Sequence, residues 1–129
     1  MVRALDTPFP IDVLRGPRGA VVKAATLDSE GEAITIPAPA LVEFLDGAHV
    51  AGGRHLAQAM QLVGGRDVVP FDKECSLIAG QLRPDLRSRG IPLPMMDARI
   101  ASTVLRHHRI LVSGDSGFAR IPGLAVETY

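Results

Sequence analysis

The regular alternation of short apolar segments with helical patterns constrains this chain more than any other feature. Apolar runs at Val2–Leu5, Ala33–Ile36 and Ile110–Ser113 are separated by segments whose apolar residues recur every three or four positions. No two-residue hairpin turn joins one run to the next. Strands that alternate with helices pair in parallel and are covered on both sides. The sequence therefore predicts an α/β fold with a mainly parallel central sheet and helices on both faces.

The remaining elements follow from the same periodicity and from glycine and proline positions. Two further short strands are predicted at Val68–Val69 and Leu124–Val126, and a helical turn at Asp115–Arg120. Helices are predicted through Ile11, Val13 and Leu14, then at Ala20–Leu27, Ala40–Ala48, Arg54–Val63, Phe71–Leu86 and Met96–His108. Pro84 must kink the fifth helix or end it before Gly90. A length of 129 residues fits one domain spanning 1–129.

Charge and cysteine content limit the possible partners and compartment. Fourteen basic residues balance fourteen acidic ones, so phosphate binding must be local. One cysteine, Cys75, forms no internal disulfide and lies in an apolar helical repeat, which favours a reducing compartment. No apolar stretch is long enough to cross a membrane, and Asp6 interrupts the N-terminal apolar run. We expect a cytoplasmic protein that does not enter the membrane.

Two carboxylates directly follow predicted strands. Ligands of open parallel sheets bind beyond the carboxyl ends of the strands, which is where Asp6 and Asp115 are expected. An aspartate at a turn from strand to helix is also a common N-cap irrespective of function, so the pattern alone favours a purely structural role for both residues.

Asp97 shares a helical stripe with apolar residues that include Ile100, Ala101 and Val104. A carboxylate on an apolar face requires a hydrogen-bonding partner or a metal. The alternative is a first-turn acid that favours the helix dipole and points to solvent. Glu43 lies away from the apolar face of its own helix, and periodicity gives it no support as a site residue.

The histidines show no metal-binding pattern. His49, His55, His107 and His108 lie near turns or helix ends and lack the spacing with cysteines that zinc sites have. We expect none of them to be a ligand or general base. The other acids, Asp72 among them, are interpreted as surface, cap or turn residues.

Three segments together resemble the PIN-domain proteins, most closely the VapC toxins of type II toxin–antitoxin pairs. They are "LDTPFPIDVLRG", "ITIPAPALVEFLDGA" and the segment from "VVPFDKECSLIAG" to "ILVSGDSGFARIPGLAVETY". Their order is similar to the family's, with an aspartate after the first strand, a glutamate in a helix, a central aspartate, then strand, aspartate and phenylalanine. The resemblance covers nearly the whole chain and implies a PIN-like fold.

The resemblance implies that Asp6, Glu43, Asp97 and Asp115 are an acidic quartet that holds Mg²⁺, or alternatively Mn²⁺. Such cations prefer hard oxygen ligands, and clustered carboxylates repel one another unless a cation lies among them. The implied activity is metal-dependent endoribonuclease cleavage, with an RNA substrate, a VapB-type antitoxin partner and a homodimer. Arginines near Asp97 in sequence are candidates to hold RNA; they are Arg83, Arg87, Arg89, Arg99 and Arg106.

The chain departs from the family pattern at three positions. Pro8 replaces the usual asparagine, Gly114 replaces a polar residue that often precedes the last aspartate, and Gly117 replaces a further acid. Each change removes a polar group near the expected site and predicts a weakened or altered metal site. Ser113 keeps the family's hydroxyl.

Three other functions fit parts of the pattern. A PIN nuclease outside toxin–antitoxin systems, for example in RNA processing, would keep the same acids. A non-catalytic PIN-like binding module would keep the fold without cleavage, although retention of four acids argues against it. A phospho-receiver domain fits less well, because no adjacent pair of acids follows the first strand.

Overall fold

A parallel five-stranded sheet forms the centre of the computed structural model of this protein, which describes residues 2–7, 24, 27, 31 and 33–129. The strands are β1 (Arg3–Leu5), β2 (Ile34–Pro37), β3 (Asp67–Val69), β4 (Ile110–Val112) and β5 (Val126–Glu127). They are arranged in the order β3-β2-β1-β4-β5, and each neighbouring pair is parallel. The predicted parallel sheet is confirmed.

The strand order makes β1 and β4 neighbours although they are far apart in sequence. The chain moves outward from β1 through β2 to β3, then returns to form β4 on the other side of β1. Such a reversal creates a crevice at the carboxyl ends of the two central strands. Leu5 pairs with Val112 at these ends, so the residues that follow both strands meet at one point of the sheet edge.

Four α-helices connect the described strands. They are α1 (Ala38–Ala51), α2 (Gly53–Gly64), α3 (Lys73–Ser88) and α4 (Met95–Arg106), and a 3-10 helix spans Ser116–Arg120. Prolines open α1, where a missing N–H leaves no hydrogen bond unmade. The Asp72 side chain caps α3 by accepting a hydrogen bond from Cys75 N at 3.0 Å. The α3 helix includes Pro84 and ends at Ser88, before Gly90.

Helical residues cover both faces of the sheet. Ala4 and Leu111 lie in a buried cluster with residues of α3 and α4. Their sequence neighbours Leu5 and Val112 point to the other face and pack against Leu27, which is also helical. The expected two-sided arrangement is thus confirmed, because adjacent strand residues alternate between two apolar clusters.

A few sequence predictions need revision or cannot be compared. The last strand lies at Val126–Glu127 rather than at Leu124–Val126, and its Glu127 forms a part-buried ion pair with Arg3 at 3.0 Å. The helix predicted through Ile11 to Leu14 lies outside the described residues. Within residues 2–7, 24, 27, 31 and 33–129, no helix has the length and apolar character needed to cross a membrane.

Candidate active site

Asp6 follows β1 directly and lies at the centre of the crevice. Its side chain is buried, with 3% of the residue exposed. Oδ2 accepts a 2.6 Å hydrogen bond from the Ser113 hydroxyl at the end of β4, and Oδ1 accepts one of 2.8 Å from the backbone N–H of Thr7. Two strand ends therefore fix the orientation of this carboxyl group.

The surroundings of Asp6 disfavour its negative charge. The pKa of the Asp6 carboxyl is raised to about 6, chiefly by burial and to a lesser extent by the nearby charges of Asp97 and Asp115. The hydrogen bonds from Ser113 and Thr7 act in the opposite direction and stabilise the ionised form. A cation among these groups would relieve the cost of burying several negative charges together.

Asp97 lies in the first turn of α4 and is half-buried, as its place on the apolar stripe predicts. Burial is the largest cause that raises the pKa of Asp97, followed by the charges of Asp115 and Glu43. The two residues that share its face, Ile100 and Ala101, are buried in the core. Asp97 is thus a half-buried first-turn acid, and its role as a site residue stays a prediction.

Asp115 is exposed and caps the 3-10 helix. Its Oδ1 accepts a 2.8 Å hydrogen bond from Gly117 N, and its own N–H donates to Ser113 Oγ at 3.0 Å. Ser113 thus contacts both strand-end acids, donating to Asp6 and accepting from Asp115. This residue therefore joins the Asp6 carboxylate to the backbone of Asp115.

Glu43 is exposed on α1, on the side away from the core. Its Oε1 accepts a 2.8 Å hydrogen bond from the hydroxyl of Thr7, the residue that follows Asp6. Thr7 was not named as a site residue, although it matches the small hydroxyl residue that follows the first aspartate in the PIN pattern. The contact brings Glu43 to the rim of the crevice, which helical periodicity alone did not indicate.

The four acids form an electrostatic group whose members lie at the same crevice. The charges of Asp97 and Asp115 act on Asp6, and those of Asp115 and Glu43 act on Asp97. Their carboxylate oxygens are more widely spaced than the ligands of a compact metal shell. Among the described residues, the one group of three potential ligands within 4.8 Å of one another lies elsewhere. A set of carboxylate oxygens with room for water between them suits Mg²⁺ or Mn²⁺, which retain part of their hydration.

Comparison with known proteins decides the family. The PIN domain family matches residues 3–124. This chain belongs to the PIN domain family.

Individual relatives of this PIN domain agree with that assignment. The tRNA(fMet)-specific endonuclease VapC of Salmonella typhimurium is 28% identical over 92 residues, which cover 69% of this chain and 70% of that protein. A chain of VapBC2 from Rickettsia felis bound to a promoter DNA fragment has a TM-score of 0.86 at 22% identity, with 100% and 99% of the two chains covered. FitAcB from Neisseria gonorrhoeae gives a TM-score of 0.77 at 26% identity and coverage of 98% and 96%. The expected resemblance to VapC proteins is confirmed, and the family relationship supports a nuclease.

Two of the three departures from the PIN pattern have structural explanations. A Cβ atom at Gly114 would lie 3.0 Å from Cζ of Tyr129, so the ring occupies the space of the usual side chain. A Cβ at Gly117 would lie 3.1 Å from Asp115 Oδ1, which Gly117 instead binds through its backbone N–H. Pro8, the third departure, lies outside the described residues.

Three arginines of this PIN domain line a groove of about 290 Å³ between α3 and α4. Arg83, Arg87 and Arg99 surround an apolar floor that includes Phe71 and Met95. The Arg83 side chain is anchored by a 2.8 Å hydrogen bond from Nε to Leu93 O. The other two arginines named from the sequence, Arg89 and Arg106, are exposed and do not line this groove.

Proposed function

We propose that this PIN domain is a divalent-metal-dependent endoribonuclease that acts as the toxin of a VapBC-type pair and hydrolyses RNA phosphodiester bonds. The observation that supports it most is the convergence of four acids at one strand-end crevice, where burial first, and then the charges of Asp97 and Asp115, raise the pKa of Asp6. A protein has little structural reason to place like charges together at a strand-end crevice. Pairs of perturbed acids in a crevice are typical of active sites.

Asp6, Glu43, Asp97 and Asp115 would hold Mg²⁺ or Mn²⁺. When bound, such a cation lowers the pKa of a water molecule and neutralises charge on phosphate oxygens. The chain itself supplies orientation. Ser113 and the Thr7 N–H fix Asp6, and Gly117 N fixes Asp115.

The groove between α3 and α4 is proposed to hold the RNA backbone. Arginine guanidinium groups match phosphate oxygens in a bidentate manner, and Arg99 lies on the same helix end as Asp97. Aromatic residues make up 4% of the chain, which favours backbone contacts over a base-stacking surface. Net charge is zero, so these local arginines carry the attraction for RNA.

The partners are proposed from the relatives. VapBC from Salmonella typhimurium bound to DNA has a chain with a TM-score of 0.85 at 24% identity, and it covers 99% of this protein. By this likeness the PIN domain would pair with a VapB-type antitoxin and form a homodimer. An antitoxin would have to cover the acidic crevice to neutralise the protein.

The decisive experiment compares RNA cleavage by the purified protein and by Asp97→Asn in Mg²⁺ or Mn²⁺. We expect cleavage by the unaltered protein, complete loss with EDTA, and a loss of at least 100-fold in Asp97→Asn, because a neutral amide replaces a charged oxygen ligand. Asp85→Asn, which changes an exposed acid of α3, is the matched control and keeps full activity. Cleavage that persists in EDTA would contradict the metal-dependent mechanism.

Two further outcomes separate the remaining functions. Cleavage in vitro without growth arrest on expression would favour a PIN nuclease of RNA processing over a toxin. Absence of cleavage together with absence of Mn²⁺ binding by calorimetry would favour the non-catalytic binding module.

A further inference from the structure

A second group of potential metal ligands lies where β3 leads into α3. Asp72, Cys75 and His107 place one ligand atom each within 4.8 Å of the other two. His107 Nε2 lies 3.9 Å from Cys75 Sγ and 3.9 Å from Asp72 Oδ2. The three atoms come from two elements, the N-terminal end of α3 and the residue that follows α4.

This group is separate from the acidic crevice. Asp97 lies in the first turn of α4, whereas His107 caps its C-terminal end. Ten residues of helix rise about 15 Å along the axis, which is too far for one ion to bind at both ends. The group therefore has no part in the function proposed above and can be tested independently of it.

The spacing of the three atoms approaches that of a zinc site. Zinc binds thiolate sulfur at about 2.3 Å and histidine nitrogen at about 2.0 Å, so tetrahedral ligand atoms lie roughly 3.3 to 3.8 Å apart. The observed 3.9 Å distances from His107 Nε2 to Cys75 Sγ and Asp72 Oδ2 need to shorten by only about 0.1 to 0.6 Å. Small side-chain rotations of Asp72 and His107, which are both partly exposed, supply such a movement.

Two of the three ligand atoms contact the same backbone carbonyl oxygen. His107 Nε2 lies 3.1 Å from Pro70 O, and Cys75 Sγ lies 3.6 Å from the same carbonyl oxygen. Both atoms therefore face the loop that follows β3, and Asp72 lies beside them at the solvent side. Binding of an ion would replace these two hydrogen bonds with direct coordination: the Cys75 thiol would release its proton to solvent, and the His107 imidazole would carry its proton on Nδ1 instead of Nε2.

We propose that Asp72, Cys75 and His107 bind a zinc ion that links the start of α3 to the end of α4. One sulfur, one nitrogen and one carboxylate oxygen form a donor set that suits a borderline-soft cation. Mg²⁺ prefers oxygen ligands alone, so it should not compete. Three protein ligands leave a fourth position for water. The bound ion would stabilise the α3 and α4 pair whose groove holds the arginines.

The sequence did not indicate this site, and the proposal departs from the expectation that His107 is not a ligand. Cys75 and His107 are 32 residues apart, and no second cysteine or histidine lies at the short spacing that marks zinc motifs. The fold brings them together only because α3 and α4 pack side by side.

The test uses Co²⁺ as a spectroscopic substitute for Zn²⁺ on the full chain after removal of metal. We expect one equivalent of Co²⁺ to give a sulfur-to-cobalt charge-transfer band and the visible bands of a four-coordinate ion, and Zn²⁺ to displace it. Cys75→Ser should abolish the sulfur band. His107→Gln should weaken Zn²⁺ binding at least tenfold, because it removes the nitrogen ligand.

Two controls separate zinc binding at this group from binding at the acidic crevice. Asp97→Asn should bind Zn²⁺ and show the sulfur band unchanged, since it alters only the acidic crevice. Zn²⁺ should raise the melting temperature of the unaltered protein by several degrees, and this shift should disappear in His107→Gln, whose partly exposed side chain can be changed without opening the core. A folded, unaltered protein that gives no sulfur band with Co²⁺ would overturn the proposal. So would Cys75→Ser and His107→Gln variants that bind Zn²⁺ as tightly as the unaltered protein does.

Discussion

The Ser113 hydroxyl donates a 2.6 Å hydrogen bond to Asp6 Oδ2, and this contact joins the ends of two adjacent parallel strands. The same hydroxyl oxygen accepts the N–H of Asp115. Ser113 is fully buried, and its hydrogen bond with Asp6 is buried, whereas that with the exposed Asp115 is part-buried. One small side chain therefore positions two acids that sequence separates by more than one hundred residues.

Ser113→Ala should change both stability and the pH dependence of cleavage. Loss of a hydrogen bond to a buried carboxylate costs about 1–3 kcal/mol of unfolding free energy. Since the Ser113 hydroxyl lowers the pKa of Asp6, its removal should raise that pKa further. We expect the rising limb of the cleavage rate against pH to move to higher pH at fixed Mn²⁺, and urea unfolding to report the loss of stability.

Ser88→Ala is the matched control for this change. The Ser88 hydroxyl is exposed and donates to Asp85 O at the end of α3, away from both acids. Its removal should leave the pH profile unchanged. A profile for Ser113→Ala that overlays that of the unaltered protein would show that Ser113 does not tune Asp6.

The raised pKa of Asp6 also predicts how metal-free stability depends on pH. The folded protein holds this proton up to about pH 6, whereas an unfolded carboxyl releases it near its ordinary pKa of 3.8. Stability contributed by Asp6 is therefore full below about pH 4 and is lost as pH rises through 6. The loss amounts to at most about 3 kcal/mol.

Asp6→Asn tests this dependence in EDTA. The amide carries no charge, so the variant should be more stable than the unaltered protein at pH 7.5 and lose that advantage near pH 4. Denaturant unfolding at both pH values measures the difference. A stability difference that stays constant between the two pH values would contradict the assignment. Added Mn²⁺ should reverse the order at pH 7.5, because only the unaltered protein keeps the carboxylate.

Much of the fold follows from local patterns in the sequence. Apolar runs and the absence of hairpin turns predict parallel strands, and the positions of Asp6 and Asp115 after two of them predict a shared crevice. Asp97 could be recognised because a carboxylate interrupts an otherwise apolar helical stripe. Such a conflict between residue type and position can be seen in the sequence alone.

The contacts that local patterns miss are those between distant residues. Glu43 points away from its own helix's core, and its links to the crevice are its hydrogen bond with Thr7 and the effect of its charge on Asp97. Glu127 has the sequence character of a surface acid, yet it pairs with Arg3 across the sheet. Neither contact has a periodic signal, because each depends on how separate elements pack.

Gly114 and Tyr129 form one such distant pair, and their coupling can be measured. Because a Cβ at position 114 would meet the Tyr129 ring at 3.0 Å, Gly114→Asn should lower the unfolding free energy by about 1–3 kcal/mol. Tyr129→Ala should remove the clash, so the double variant should cost less than the sum of the two single changes. Urea unfolding of all four proteins gives the coupling. Additive changes in unfolding free energy would show that the Tyr129 ring and the side chain at position 114 do not clash.

The arginine groove predicts a specific salt dependence of RNA binding. Arg87→Ala and Arg99→Ala should each weaken binding of a single-stranded RNA in EDTA, where cleavage is stopped. Log affinity falls with log salt concentration, and substitution of an arginine that contacts a phosphate should make this negative slope less steep by about 0.7. Fluorescence anisotropy over a series of salt concentrations measures both quantities.

Arg89→Ala removes an equal charge from a nearby exposed position and provides the comparison. Arg89 follows the last turn of α3 but does not line the groove, so its removal should change affinity only slightly. Equal losses for Arg87→Ala and Arg89→Ala would mean that RNA responds to total charge rather than to this groove. A larger loss and a smaller slope at Arg87 and Arg99 would assign the phosphate contacts to the space between α3 and α4, next to the helix end that carries Asp97.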